Sequence, residues 1–383
     1  MYMSPWMSDE LAALEELTAD FIAKEALPRH AQWVLDKRIG RDFWEAAGEI
    51  GLLGCSVPTE FGGGGATVLH DFVVLAAMTR AGLTASSLQV HSVIMPHYLV
   101  RYGSPEQKKR WLPDLCAGRA IGAIAMTEPD VGTDLQALRT RAVRDGDDYV
   151  ISGSKTFITN GTTADLVIVA ATTDPSKKAH GITLFAVETA NSPGFRVGRA
   201  LHKIGQHESD TAELFFDGVR VPAANRLGAD GQGWGMLMGQ LPLERLIVGV
   251  NSVAAMETAV DLATEYANER RAFGRPLIDK QHVRFELAEC ATLAHVARTF
   301  LDSCIVRLLD GTLDSTVAPM AKWWLSEVEC QVVDRCLQVF GGYGYMQEYP
   351  IARLYVNARV QKIYGGTNEI MKEVIGRGLV QSS

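Results

Sequence analysis

The hydrophobic period changes twice along this chain, and that limits the architectures open to it. From Asp9 to about Gly118, apolar residues recur at three- and four-residue steps. Leu11, Leu14, Leu17, Phe21 and Ile22 form one helical face, and Phe43, Ala47 and Ile50 begin another. Ser104-Pro-Glu-Gln107 is a capping box with proline in the first turn, and the helix it opens runs on to Gly118. Between about Ile121 and Leu227 the period falls to two. Tyr149–Ser152, Asp165–Ala171, Gly181–Val187 and Ala212–Phe216 read as strands, separated by turn signals at Asp145-Gly146, Ser192-Pro-Gly194 and Asp217-Gly218. From Gln240 the helical period returns, first to about Arg271, then from Arg284 to Leu309, from Ala318 to Phe340, and after Thr367. The expectation is an α+β chain of three domains: residues 1–120 helical, 121–227 a small β domain, and 228–383 helical. The absence of strand–helix alternation argues against a doubly wound nucleotide-binding sheet.

The 383 residues are 47% hydrophobic and 21% charged, which places the chain among ordinary globular proteins. A net charge of -8 argues against a nucleic-acid binder, although a local basic groove for a phosphorylated ligand stays possible. Cys55, Cys116, Cys290, Cys304, Cys330 and Cys336 lack CxxC spacing and read as reduced and structural. His91 and His97 are six apart, a poor metal spacing, so no metal is expected. The Gly62–Gly65 run lacks a following Gly-Lys-Ser/Thr and reads as a turn. Met1–Trp6 show no leader pattern, and no apolar run reaches the roughly 18 residues of a membrane span. A cytoplasmic protein without a membrane partner is expected.

The helix starting near Gln240 carries the first chemical candidate. Pro242 suits a first helical position. Leu243, Leu246, Ile247, Val250, Val253 and Ala254 form its buried stripe, with Glu244 at the edge beside Ile247, Val248 and Asn251. Apolar neighbours raise a carboxyl toward the range of a usable base, while a first-turn position in the helix dipole opposes that rise. A surface glutamate complementing the dipole is the competing reading. Elsewhere, Ala125–Asp134 combines turn residues with two threonines. Phe157 and Thr159, two apart on a strand, offer a flat ligand a stacking face and a hydroxyl. Arg270-Arg-Ala-Phe-Gly274 suits a pyrophosphate or simply a helix end. Gln338–Gly344 and Ile363–Ile370 are glycine turns where backbone can approach a ligand closely.

Taken together, Met126-Thr-Glu-Pro with Gly132-Thr-Asp134, Lys155–Gly161, Lys203-Ile-Gly with Ser209-Asp-Thr211, Arg270–Gly274 with Gln281, Gln338–Gly344 and Tyr364–Ile370 resemble the acyl-CoA dehydrogenase family, in its order and over essentially the whole chain. The resemblance implies a helical N-terminal domain, a middle β-barrel-like domain and a C-terminal four-helix bundle, assembled as a homotetramer with one FAD per subunit. It implies that Met126, Thr127, Gly132 and Thr133 touch the flavin ring and pyrophosphate, that Phe157 stacks on the isoalloxazine, and that Thr159 lies near N5. Arg270, Phe273, Gln281, Gln338, Gly341 and Gly342 match groups holding the ADP half, partly across a subunit interface. Thr367 and Glu369 resemble the last flavin contacts, and Thr133, Arg245, Tyr364 and Gly365 the substrate contacts.

Two departures stand out. Many members carry the catalytic glutamate where this chain has Gly365. A minority, resembling isovaleryl-CoA and long-chain acyl-CoA dehydrogenases, place it on the helix where Glu244 lies. Gln206-His207 stands where an arginine is common. The implied reaction is α,β-dehydrogenation of an acyl-CoA, with Glu244 as base, flavin as hydride acceptor and electron-transfer flavoprotein as the next acceptor. A carrier-protein-bound acyl thioester, an oxygen-using oxidase or monooxygenase, and a catalytically silent FAD-binding subunit remain as alternatives.

Overall fold

The computed structural model describes residues 4–190, 192–314 and 316–381; Met1–Met3, read above for a leader, lie outside them. The N-terminal part is helical: α1 (Asp9–Phe21), α2 (His30–Asp36), α3 (Arg41–Glu49) and α4 (Val68–Arg80). A short α5 (Ser86–Leu88) passes through a π-helical stretch, Gln89–Ile94, into α6 (Met95–Tyr102). α7 (Pro105–Cys116) opens on the expected capping box, with Ser104 Oγ accepting from the Gln107 N–H and the Gln107 side chain accepting from the Ser104 N–H. His91 is buried between the Leu115 carbonyl and the Gly122 N–H, where burial lowers its pKa to about 4 and keeps it neutral. Among the described residues all six cysteines are unpaired.

The middle part is one mixed sheet. Its strands are β1 (Gly122–Ala125), β2 (Arg141–Asp145), β3 (Asp148–Thr159), β4 (Leu166–Thr172), β5 (Ile182–Glu188), β6 (Phe195–Ala200), β7 (Thr211–Pro222) and β8 (Arg226–Leu227). The hydrogen-bonded order is β6-β7-β3-β2-β4-β5-β8, with β1 pairing β4 in parallel. β2 and β4 meet at a single pair, Arg141 with Thr172. There the sheet folds over, so that Tyr149, Ile151 and Phe216 of one half pack against Val167, Phe185 and Val187 of the other. β4 is buried on both faces because Leu166, Ile168 and Ala170 point the other way, into the helical core. β1, β2, β6 and β8 have no counterpart among the strands expected from periodicity. β1 and β8 are only four and two residues long, and β2 and β6 are largely solvated.

The C-terminal part holds α8 (Gly233–Glu269), a small hairpin of β9 (Arg271–Ala272) and β10 (Arg275–Pro276), then α9 (Gln281–Leu309), α10 (Val317–Phe340), α11 (Pro350–Gln361) and α12 (Asn368–Gln381). α8 corrects the sequence reading. It begins at Gly233, two turns before Gln240, so Pro242 sits inside the helix and Glu244 is in its fourth turn. An interior proline leaves a backbone carbonyl without its usual donor. In the preceding turns, the carbonyls of Met236 and Gly239 accept from the side chains of Tyr102 and Arg101. The glycines at 233, 235 and 239 masked this start, since they weaken any helical signal. α8 also contains an apolar window long enough to cross a membrane by length and composition; 72% of that window is buried inside the fold, as in a core helix. α11 escaped the sequence reading because its apolar stripe is narrow: Ile351, Leu354 and Ala358.

Candidate active site

Glu244 lies on α8 with 8% of its surface exposed, and Tyr98 on α6 donates its hydroxyl to Glu244 Oε1 at 3.0 Å. The helix dipole falls off within the first turn, so in the fourth turn it no longer opposes protonation. Burial pushes the Glu244 carboxyl up to about 7, with the Tyr98 hydrogen bond and the Arg245 charge holding it back. Arg245 is itself buried and its pKa is lowered by burial, with the Glu244 charge opposing.

One turn further along α8, Val248 faces Gly365. A Cβ built on Gly365 would stand 3.7 Å from Val248 Cγ2, and Gly365 has φ +66°, a left-handed conformation that suits glycine. The Tyr364–Thr367 turn is thus brought to the Glu244 helix. It is pinned from below by residues the sequence reading missed. Asn368, at the start of α12, accepts from Lys322 Nζ at 2.8 Å and donates to Glu327 at 3.1 Å. Lys322 is fully buried, and burial with the nearby Arg245 charge lowers its pKa to about 7. These contacts join positions far apart in sequence, so local pattern could not signal them. Glu369 is exposed in the first turn of α12, and Thr367 Oγ1 accepts from the Ile370 N–H.

A second group of residues forms an open face on the β domain. The loop Met126–Asp134 is tied to β3 by a buried ion pair, Lys155 with Glu128 at 2.9 Å; Lys155 also donates to the Met126 carbonyl, and Glu128 accepts from the N–H groups of Arg139 and Thr140. The Thr127 carbonyl accepts from the Thr156 N–H. Above this anchor Gly132 and Thr133 are exposed, and the space where a Gly132 side chain would point is empty. The expected strand alternation at Phe157 is replaced by a bulge: β3 gains one residue between Lys155 and Ile158, and Phe157 takes φ +59°. The bulge turns the ring outward with 66% of its surface exposed. An aromatic face this bare, beside hydroxyls and an open glycine, fits the flat ring of a flavin.

The third group lies at the end of the bundle. Arg270, Gln338, Gly341 and Gly342 line a cavity of about 490 Å³ with Tyr266 and Tyr343. Gln281 is exposed at the start of α9, and Phe273, at the β9–β10 turn, is 96% exposed. Among the described residues, no hydrogen bond or ion pair joins this group to Phe157 or to Glu244. Gln206, flagged as a departure, is buried with φ +53° and its N–H bonded to Asn357, while His207 is exposed. Among the described residues no cluster of three or more His, Cys, Asp or Glu side chains could hold a metal.

Three family models match the chain: acyl-CoA dehydrogenase N-terminal domain over residues 8–119, middle domain over 123–219 and C-terminal domain over 231–380. The long-chain specific acyl-CoA dehydrogenase of Sus scrofa mitochondria is 45% identical over 97% of this chain and 87% of its own length. An acyl-CoA dehydrogenase structure from Geobacillus kaustophilus superposes with a TM-score of 0.96 at 42% identity, covering 98% of this chain and all of that one. A glutaryl-CoA dehydrogenase of Mycobacterium smegmatis, solved in complex with FADH2, has a TM-score of 0.89 at 27% identity over 97% of this chain and 95% of its own.

Proposed function

The chain belongs to the acyl-CoA dehydrogenase family, and from that premise we propose how its own side chains carry out the reaction. It is an FAD-dependent oxidoreductase acting on the CH–CH group of an acyl-CoA. FAD, when bound, supplies the acceptor for the hydrogen that leaves the β carbon as hydride. Glu244 removes the α proton. The observation that carries this role is its burial: a carboxyl held near pKa 7 is a stronger base than an exposed one and is still partly ionised at neutral pH. Tyr98 orients the carboxylate. The Gly365 N–H donates to the thioester oxygen, where negative charge grows as the proton leaves. Gly365 also lets the turn lie close against Val248, one turn past the base, where an added Cβ would stand 3.7 Å from Val248 Cγ2.

Met126, Thr127, Gly132, Thr133, Phe157 and Thr159 hold the flavin end, with Thr367 and Glu369 beside them; Arg270, Phe273, Gln281, Gln338, Gly341 and Gly342 hold the ADP end. The near-complete exposure of Phe273 supports a homotetramer in which a second copy covers that end. Arg245, Tyr364 and Thr133 line the substrate. A long-chain acyl-CoA is favoured over a carrier-bound thioester, in line with the Sus scrofa relative. Electron-transfer flavoprotein is the proposed acceptor. The test is anaerobic titration of the yellow protein with short-, medium- and long-chain acyl-CoAs and with carrier-loaded acyl groups. Stoichiometric bleaching by long-chain acyl-CoA supports the reading, and bleaching by the carrier-loaded group alone replaces it.

A further inference from the structure

The turn that carries Gly365 cannot hold itself in place. Gly365 and Gly366 both take positive φ, +66° and +95°, so this stretch of backbone loses the most freedom on folding and has no side chain of its own to fix it. Its two ends are fixed instead, and both by α10. Glu327 reaches one end with each oxygen: Lys362 Nζ donates to Oε1 at 2.6 Å and Asn368 Nδ2 to Oε2 at 3.1 Å. The Asn368 N–H donates to the Lys362 carbonyl at 3.1 Å, which closes the segment between them into a loop. Asn368 Oδ1 in turn accepts from Lys322 Nζ at 2.8 Å and from Ser326 Oγ at 3.2 Å, so α10 engages both halves of the amide.

The same helix packs along the one that carries the base. Lys322, Leu325 and Ser326, three and four residues apart, share one face of α10. Leu325 meets α8 at Gly249, where an added Cβ would stand 2.8 Å from Leu325 Cδ1. Gly249 is five residues past Glu244, a rise of about 7.5 Å along the helix. Glu244 and Gly365 are distant in the chain, yet each is referred to neighbouring residues of one rigid element. Burying Lys322 completely costs desolvation. An apolar side chain would fill its site at less cost and would give Asn368 nothing to bond.

We propose that Lys322, Glu327 and Asn368 are positioning residues for the dehydrogenation, a cradle on α10 that holds the Gly365 N–H at the thioester oxygen while Glu244 takes the α proton. The inference rests on the reading of Glu244 as base and of the Gly365 N–H as donor. A displacement of about 1 Å is enough to slow a positioned reaction severely. Because charge grows on the oxygen only as the proton leaves, a loosened donor lowers the rate more than it weakens binding.

The test uses the flavin-loaded protein as wild type, Lys322→Met, Asn368→Ala, Glu327→Gln, Glu327→Leu and Glu244→Gln. Two rates are measured per bound flavin: flavin reduction at saturating acyl-CoA, and exchange of α hydrogen with deuterium oxide in an acyl-CoA whose β carbon is replaced by sulfur. That analogue can lose an α proton to Glu244 and regain a deuteron, and it has no β hydrogen to transfer. Lys322→Met and Asn368→Ala should slow both rates by about tenfold or more, with a much smaller change in KM. Glu327→Gln, which can still accept from one end of the turn, should be slowed less than Glu327→Leu. Glu327 is partly exposed, so its two variants carry the test even where loss of the buried Lys322 prevents folding. A cradle that only supports the fold would lower stability or flavin content and leave both rates per flavin at the wild-type value, which overturns the proposal. If Glu244→Gln stops exchange while the cradle variants exchange as wild type does, only this inference falls; if Glu244→Gln exchanges as fast as wild type, the reading of the site falls with it.

Discussion

Glu244 and Arg270 lie on the same helical scaffold, one in the fourth turn of α8 and the other just past its last, and their surroundings differ in almost every respect. Glu244 is sealed: Tyr98 bonds it, Arg245 neighbours it, Val248 and Gly365 close over the next turn, and burial reshapes its acidity. Arg270 is exposed on an open cavity beside the bare ring of Phe273 and glycines with empty space before them. The reacting end is thus built within one chain, where a low dielectric can tune a proton-transfer group. The other end is left open, a surface on which a ligand can lie. Chemistry needs preorganisation, whereas binding a long ligand needs accessible surface.

That contrast predicts a ranking of effects. The largest belongs to the sealed end: Glu244→Gln should lower turnover by about a thousandfold, within the usual range for losing a general base, with flavin content and fold unchanged. A steady-state assay beside the visible spectrum checks this, and an equal loss of flavin would blur the contrast between the two ends.

Next comes the anchor under the flavin face. Lys155→Met strands the Glu128 carboxylate in a buried site and should cost about 3–5 kcal/mol in denaturant unfolding. Adding Glu128→Leu should recover part of that loss, since no unpaired charge remains. No recovery would mean that the pair matters for packing rather than for charge.

At the open end the effect should be smaller and confined to binding. Arg270→Ala should weaken FAD affinity about tenfold, or roughly 1.4 kcal/mol, and leave turnover at saturating FAD near wild type. A fall in turnover at saturation would show the two ends to be coupled.

An effect of similar size, confined to one limb of the pH profile, comes last. Tyr98→Phe removes a hydrogen bond that favours the ionised form of Glu244, so the carboxyl pKa should rise. Activity that requires the carboxylate then loses ground on the acid side. Its acid limb should move up by about one pH unit, the equivalent of roughly 1.4 kcal/mol, with little change at high pH. An acid limb that stays in place would place the Tyr98 hydroxyl outside the titration.

The same contrast explains what the sequence disclosed. The helical, strand and helical segments were legible because periodicity is local. Glu244 was legible as an acid on an apolar stripe, and its family context separated it from a dipole-complementing surface group. Its true position in α8 was not, because Pro242 imitates a helix start and the glycines before it hide the real one. The outward turn of Phe157 was hidden too: alternation predicts one face for residues two apart, and only the pairing with β7 reveals the bulge. Nothing local in the sequence marks Lys155 with Glu128, Lys322 with Asn368, or Glu329 against Ser252 as buried pairs. Their burial comes from packing between segments distant in the chain.

The most direct test of the account is the single-turnover rate of flavin reduction by long-chain acyl-CoA, followed across pH in stopped flow, for wild type and Glu244→Gln. Wild type should speed up with rising pH through an apparent pKa near 7, the value burial gives Glu244, and the variant should show a slow rate without that limb. A Glu244→Gln protein that reduces its flavin at the wild-type rate with the same limb would contradict the assignment and move the base elsewhere.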